Sequence, residues 1–453
     1  MSPRLIVVSN RVSVPKSKRP VPGGLAVGIL AALQGSGGLW YGWNGRVESA
    51  VSVERSRLGP IEFVTRSLTP EAYEGYYLGY ANRVLWPLFH LRLNLVEYQR
   101  RFFEAYLAMN VQMAEDVARL AAADDLIWVH DYHCIPLGRK LRKLGLANPL
   151  GFFLHIPFPP YDVFRAVPDH KTLLKYFFAY DLIGFQTRLD RDSFLDTVLR
   201  ILPDVELGSD GLIYKDHEVK VGVFPIGIDY ENIRRDVETA KRSTLIRRLQ
   251  QNLAGRKLIT GVDRLDYSKG LAQRFQAFDH FLERHLDHRE NVVFMQVAQP
   301  SRSDVPEYQA IRDELDYLAG KINGRYAQFD RIPLRYLNRS FSRPTILGFL
   351  ALSDIGLITP LRDGMNLVAK EFVAAQDPDD PGVLILSRLA GAAEQLKDAL
   401  LVTPYNIDGV AEALDYALRM SRDERIERHR ALDEQVRAYT VEDWARDFVA
   451  HLA

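Results

Sequence analysis

Arg264 and Lys269 flank Leu265-Asp266-Tyr267-Ser268. Two cations at that spacing can neutralise the charge that gathers on a departing diphosphate, worth roughly 3 to 4 kcal/mol for each well-placed donor. Arg264 beside Asp266 also fits a plain surface ion pair. A second loop, Asp363-Gly364-Met365-Asn366-Leu367, runs into Val368-Ala369-Lys370-Glu371. Gly364 lets main chain come close to a ligand. Glu371 falls about two helical turns after Asp363, where a carboxylate can accept both hydroxyls of a ribose. Asp363 reads equally well as a helix N-cap. A third loop, Gly23-Gly24, opens the apolar segment 25–33, so amides at a helix start can meet an anion with no Cβ in the way; the same pair also fits an ordinary turn.

These groups sit in a pattern. Apolar runs end in Ser9-Asn10-Arg11, in His130-Asp131-Tyr132-His133, in His155-Ile156-Pro157 and in Asp263-Arg264; two more lead to Ser301-Arg302 and to Arg362-Asp363-Gly364. One polar loop after one strand means little. Arg, His or Asp after each of these runs points to ligand binding at strand carboxyl ends, the edge that open α/β sheets use.

The elements that must carry them are short apolar runs alternating with long amphipathic segments, the signature of parallel sheets wrapped by helices. Strands are expected at 5–8, 126–129, 151–154, 182–186, 219–224, 257–262, 292–297, 355–359 and 383–386. Between them, Leu271, Phe275, Phe278 and Leu282 recur at helical spacing with Gln276, Asp279 and Arg284 on the other face, a packing stripe. Phe224-Pro225-Ile226-Gly227-Ile228-Asp229 interrupts an extended run with Pro and Gly and reads as a connector. The expected division is a Rossmann-like domain over 1–225, a second over 226–440, and a terminal helix over 441–453 whose Trp444, Phe448 and Leu452 pack back across the interface. The fold class is therefore α/β, with the two sheet edges facing across a cleft.

A chain of 453 residues exceeds what one core normally supports. Lys and Arg total 58 against 58 Asp and Glu, so no field of one sign exists to attract nucleic acid or an anionic membrane. An anionic ligand must be held by a few local cations. The single cysteine, Cys134, excludes an internal disulfide and fits a reducing compartment. The run at 5–8 is too short for a signal-peptide core, and no apolar stretch approaches membrane-span length, so a cytoplasmic protein is expected. The basic run Lys16-Ser17-Lys18-Arg19 reads as a solvated loop. His130 and His133 lack a third ligand nearby in sequence, and Asp377-Pro378-Asp379-Asp380 reads as a turn, so no metal site is expected.

Taken together, the motifs closely resemble those of trehalose-6-phosphate synthases, retaining glycosyltransferases of family 20 with the two-domain fold called GT-B. The resemblance is carried by Gly23-Gly24-Leu25-Ala26-Val27-Gly28, His130-Asp131-Tyr132-His133, Phe153-Leu154-His155-Ile156-Pro157-Phe158-Pro159, Arg264-Leu265-Asp266-Tyr267-Ser268-Lys269-Gly270, and Asp363 through Glu371. It covers nearly the whole chain. The resemblance implies that Arg264 and Lys269 hold the diphosphate of UDP-glucose, that Gly23 and Gly24 approach it, and that Glu371 takes the ribose. Phe341 and the main chain at Leu367 and Val368 fall on the base side. His155 and Asp363, with amides of Gly364, Met365 and Asn366, take the donor glucose; Ala369 and Lys370 complete that motif. For the acceptor, glucose 6-phosphate, it implies Arg11, Tyr77 and Arg302 at the phosphate and Trp86 and Asp131 at the sugar. Tyr77 and Trp86 also fit a packing role, and Cys134 stands where an aliphatic residue is usual.

The implied reaction makes α,α-trehalose 6-phosphate with retention. A retaining hydrolase needs paired carboxylates about 5 Å apart, and no obvious pair takes that part, so a front-face displacement relying on Arg264 and Lys269 rather than a metal or cofactor is expected, with His155 and Asp363 beside the reacting sugar. Alternatives on the same motifs are a glucosylglycerol-phosphate synthase and a non-catalytic sugar-phosphate sensor. A nicotinamide dehydrogenase would need Gly-x-Gly-x-x-Gly after the first strand, which is missing. Preference among UDP, GDP and ADP, and a homo-oligomeric state, stay open at this point.

Overall fold

The computed structural model describes residues 3–14, 26, 28–30, 32, 33, 37–215, 217–301 and 306–453. The chain forms two compact units: Met1–Ile226 with Val441–Ala453, and Gly227–Thr440. Lys16, Ser17, Lys18, Arg19, Gly23, Gly24 and Arg302, named above, lie outside the described residues.

The first unit carries β1 (Leu5–Arg11), β2 (Gly38–Val47), β3 (Val53–Leu58), β4 (Ile61–Leu68), β5 (Leu126–His130), β6 (Leu150–Phe153), β7 (Leu182–Phe185), β8 (Val205–Leu207), β9 (Gly211–Tyr214) and β10 (His217–Val223) in one sheet of order β3-β4-β2-β1-β5-β6-β7-β10-β9-β8. Its centre is parallel, with β1 pairing both β2 and β5. Central strands of such a sheet are covered on both faces and so read as unbroken apolar runs; β5 is buried at every position. The helix Val441–Leu452 covers this sheet. Phe448 and Trp444 lie 4.4 and 4.8 Å from Trp128 between ring centroids. A Cβ on Gly151 or Gly184 would stand 2.6 or 2.7 Å from Phe448, so strands β6 and β7 carry glycine where the helix lands.

The second unit holds β11 (Lys257–Arg264), β12 (Val292–Gln299), β13 (Leu334–Leu337), β14 (Ile355–Ile358), β15 (Val383–Ser387) and β16 (Leu400–Val402), in the order β13-β12-β11-β14-β15-β16. All of its pairings are parallel. That is the doubly wound order, whose direction of winding reverses between β11 and β14, and the crevice at that switch point is where such sheets bind ligands. The first unit reverses between β1 and β5 in the same way.

Every strand expected from the sequence is present. Missed were β2, β3, β4, β8, β9, β13 and β16. The sequence of β2, Gly-Leu-Trp-Tyr-Gly-Trp-Asn-Gly-Arg-Val, is broken by glycine and polar residues, and β3, Val-Glu-Arg-Ser-Arg-Leu, is exposed throughout at the sheet edge; neither shows an apolar run. Asp377 to Asp380 forms the expected turn, with the Asp379 amide donating to Asp377 Oδ1 at 3.1 Å. No described helix is long and apolar enough to cross a membrane.

Candidate functional site

Charged groups gather at both switch points. In the second unit β11 delivers Arg264, which is exposed, and the chain then closes a 3-10 turn at Tyr267–Lys269. Buried Asp266 shapes that turn: its Oδ1 accepts from the Ser268 amide at 2.9 Å and its Oδ2 from Tyr308 at 3.0 Å. Gly270 follows at φ +66°, a left-handed step that a Cβ would obstruct by meeting the Thr359 carbonyl oxygen at 2.5 Å. The helix Leu271–Arg284 begins there. Lys269 is thereby fixed with its Nζ 2.5 Å from Asp363 Oδ2, in the loop after β14.

Asp363 is thus not the cap of the next helix. Its Oδ2 accepts also from Asn366 Nδ2 at 3.0 Å, and the N-cap of Leu367–Ala375 is Asn366 itself, at φ +74° and with no side-chain cap hydrogen bond. The Ala369 amide donates to the Asn366 carbonyl at 3.3 Å, and no side chain caps the start of the helix, a terminus that suits an anion. The side chains of Met365, Ala369 and Lys370 are buried, so from this motif a ligand is offered the main chain of Gly364 to Val368 and the carboxylate of Glu371. Burial holds Lys370 down at about 7 and pushes the Glu371 carboxyl up against the pull of Arg343. Arg343 Nη2 lies 3.2 Å from Glu371 Oε1, while Phe341 packs edge-on to Phe349 at 5.3 Å under the Arg339 guanidinium.

One residue fastens this edge from beneath. Arg274, in the same helix as the Leu271 stripe and 1% exposed, donates to Asp263 Oδ2 at 2.6 Å and Gln296 Oε1 at 2.8 Å, to Thr359 Oγ1 at 3.1 Å, and to the Lys269 carbonyl at 3.3 Å. It ties the end of β11, the middle of β12 and the residue after β14 to the loop that aims Lys269.

In the first unit Ser9 and Asn10 are structural: Ser9 Oγ accepts from Trp40 Nε1 at 2.8 Å, and Asn10 Oδ1 from Tyr76 at 2.8 Å. Arg11 is exposed and lies over the Trp43 ring at 4.9 Å. Tyr77 stands on a π-helix, Tyr73–Leu85, an uncommon geometry frequent at functional sites. Its ring is 5.1 Å from Trp43 and stacks on His133 at 6.1 Å. Trp86 is buried against His90 and Tyr132. Rings therefore join Arg11, Tyr77 and Trp86 in one cluster, which Asp131 borders through its neighbour Tyr132.

Asp131 adopts φ +73°, ψ 165°, a region essentially reserved for glycine, which costs on the order of 1–3 kcal/mol and collects at active sites. Its Oδ1 accepts from the His155 amide at 3.3 Å. The Ile226 amide donates to Gln186 Oε1 at 2.9 Å, so the Gln186 amide nitrogen faces His155 Nδ1 at 3.4 Å; His155 Nε2 then donates to His130 Nδ1 at 3.0 Å. This chain sets both tautomers, and burial keeps both rings neutral at pH 7, His155 at about 3 and His130 well below its ordinary value. Cys134 is buried beside this cluster, and burial pushes its thiol up.

The two residues expected at the donor glucose divide between units, His155 in the first and Asp363 in the second. Sequence reasoning missed Trp43, Gln186, Arg274 and Arg343. Gln186 ends an expected strand and Arg343 stands two places from Phe341, so both carried a signal.

An α/β chain with two such parallel sheets has the GT-B class of glycosyltransferase fold. The chain belongs to glycosyltransferase family 20, whose model matches residues 4–453. It is 45% identical to a trehalose-6-phosphate synthase of Klebsiella pneumoniae over 450 residues, covering 99% of this chain and 95% of the relative. Its fold is similar to the crystal structure of an α,α-trehalose-phosphate synthase (UDP-forming) from Burkholderia vietnamiensis, with a TM-score of 0.97 at 46% identity over 100% of this chain and 97% of that one. A Burkholderia xenovorans synthase of the same description, in complex with glucose 6-phosphate, gives 0.95 at 43% identity, covering 99% of both chains.

Proposed function

We propose that this chain transfers glucose from UDP-glucose to glucose 6-phosphate with retention, yielding α,α-trehalose 6-phosphate and UDP in the cytoplasm. The observation that carries this reading is the Lys269–Asp363 pair beside Arg264, set at the switch point of the second sheet next to the uncapped start of Leu367–Ala375. A lysine held by Asp363, an arginine five residues before it and a helix start with no side-chain cap suit a diphosphate at that edge. Arg264 and Lys269 take its charge, Glu371 steadied by Arg343 takes the ribose, and Phe341 lies on the base side. Arg11, Tyr77 and Asp131 serve the acceptor, joined by Arg302; Gly24 serves the donor.

In the reaction the bond from glucose C1 to the β-phosphate oxygen breaks as the anomeric hydroxyl oxygen of glucose 6-phosphate attacks the same face of C1. The hydroxyl proton passes to the departing phosphate oxygen, so UDP leaves carrying it and no protein carboxylate becomes glycosylated. The side chains position both sugars and stabilise the leaving group.

Offering UDP-, GDP- or ADP-glucose with glucose 6-phosphate and glycerol 3-phosphate together tests this. One trehalose 6-phosphate per UDP released, α,α-linked by NMR, is expected; preferential glucosylation of glycerol 3-phosphate, or turnover of no sugar nucleotide, would overturn it. Asp131 gives a second test. Asp131→Gly removes a strained step and an acceptor contact at once, so the melting temperature should not fall while KM for glucose 6-phosphate rises about tenfold or more. A lower melting temperature with unchanged KM would make Asp131 structural.

A further inference from the structure

The second unit has another charged concavity, at the opposite edge of its sheet. Arg256 stands immediately before β11, Asn291 before β12 and Pro333 before β13, and these residues help line a cavity of about 570 Å³. That volume is in the ordinary range for small-molecule sites. β11 is 8 residues long, so this edge lies about 25 Å from Arg264 at about 3.3 Å per residue.

Four arginines line the cavity: Arg256, Arg289, Arg325 and Arg331. Their charges are not equally answered. Arg325 meets Glu283 at 2.6 Å and Asp279 at 3.7 Å, and Arg331 meets Glu290 and Asp330 at 3.6 and 3.7 Å. Asp287, also on the wall, is taken by Arg419. Arg256 instead donates to the carbonyls of Leu253 and Asn252 at 2.9 and 2.8 Å, and Arg289 to those of Leu282 and Glu283 at 2.6 and 3.3 Å. Among the described residues neither has a carboxylate partner within ion-pair distance. The same holds for half-buried Arg335 on β13, whose proton is held less tightly because of burial and the nearby charge of Arg256.

Main-chain carbonyls and the Tyr326 ring, 5.2 Å from Arg289 and 5.1 Å from Arg325, hold these guanidiniums in place without neutralising them. Crowded cations fixed this way raise one another's energy, and an anion relieves it. Guanidinium forks match phosphate oxygens in particular.

We propose that this cavity is a second ligand site, remote from the reacting edge, that takes a small anion bearing two or more phosphate charges through Arg256 and Arg289 with Arg335 behind them. The inference does not depend on the proposed reaction.

Calorimetric titration of the full chain with inorganic diphosphate, under saturating UDP and glucose 6-phosphate, tests it. One diphosphate per chain is expected, with affinity reduced at least ~10-fold in Arg256→Gln and in Arg289→Gln and basal turnover unchanged. Arg264→Ala should leave this binding intact, and a loss there would mean that the titration reads the reacting edge and would overturn the proposal. So would the absence of binding, or equal binding in the Gln variants. If loss of a carbonyl partner unfolds these variants, Arg335→Gln, whose side chain makes no hydrogen bond among the described residues, must still weaken diphosphate; unchanged binding in it would likewise overturn the site.

Discussion

Lys269→Ala should lower turnover by about 100-fold or more with little change in KM for either substrate, because the ammonium is asked to stabilise charge that appears on the phosphate as the glycosidic bond breaks. In the free chain its partner is Asp363 at 2.5 Å, both side chains being 10 and 16% exposed. The pair holds the ammonium in position beforehand, and a diphosphate then shares it. Removing Lys269 also leaves the Asp363 carboxylate with Asn366, so some stability is lost with the activity. Arg264→Ala separates the two effects: Arg264 is exposed, and its removal should cost turnover on a similar scale while leaving the melting temperature near that of the parent. Near-normal turnover in either variant, measured by UDP release, would remove the leaving-group role.

Arg274→Ala should cost about 3–5 kcal/mol of stability, the scale on which one partner of a buried ion pair is missed. Its guanidinium has four protein partners and almost no contact with water. Burial already pushes the Asp263 carboxyl up, and Arg274 is the chief influence drawing it back. Without that cation the carboxyl rises further above its unfolded value. The folded variant then binds a proton more readily than the unfolded chain, so its deficit is largest near neutrality and shrinks as pH falls through the raised value. Thermal melts of both proteins between pH 4 and 7 (roughly the window in which a raised carboxyl takes up its proton) read this directly. A deficit that is small or independent of pH would mean that Arg274 is dispensable. Replacing both members, Arg274→Met with Asp263→Leu, should recover much of the loss.

How far the site was legible depended on where each residue's partner lies in the chain. Arg264 and Lys269 could be picked out because they follow an apolar run, and the loop after a parallel strand is where the sheet presents side chains; Glu371 showed through its spacing from Asp363. Asp363 was ambiguous, since a carboxylate ahead of a helix is commonly its cap; only a lysine 94 residues away decides otherwise. Arg274 was invisible as a structural hub because it falls between Leu271 and Phe275 in a stripe that reads as packing, and its carboxylate is at the end of a different element. The strands of both sheet centres declared themselves by burial on two faces. The edge strands β3 and β8, the short β9 between β10 and β8, and the glycine-broken β2 did not, because pairing rather than apolar content creates them. Trp86 fits the acceptor sugar or a packing role, and burial against His90 and Tyr132 is compatible with either.

The helix Val441–Leu452 belongs to the sheet that begins at Leu5, so the part of the polypeptide synthesised first is finished only after the whole of Gly227–Thr440 has been made. Until then the nascent sheet presents Trp128 and the bare backbone of Gly151 and Gly184 to water, a greasy notch awaiting Trp444 and Phe448. The later unit, by contrast, is an uninterrupted stretch that can close on the ribosome while its predecessor waits.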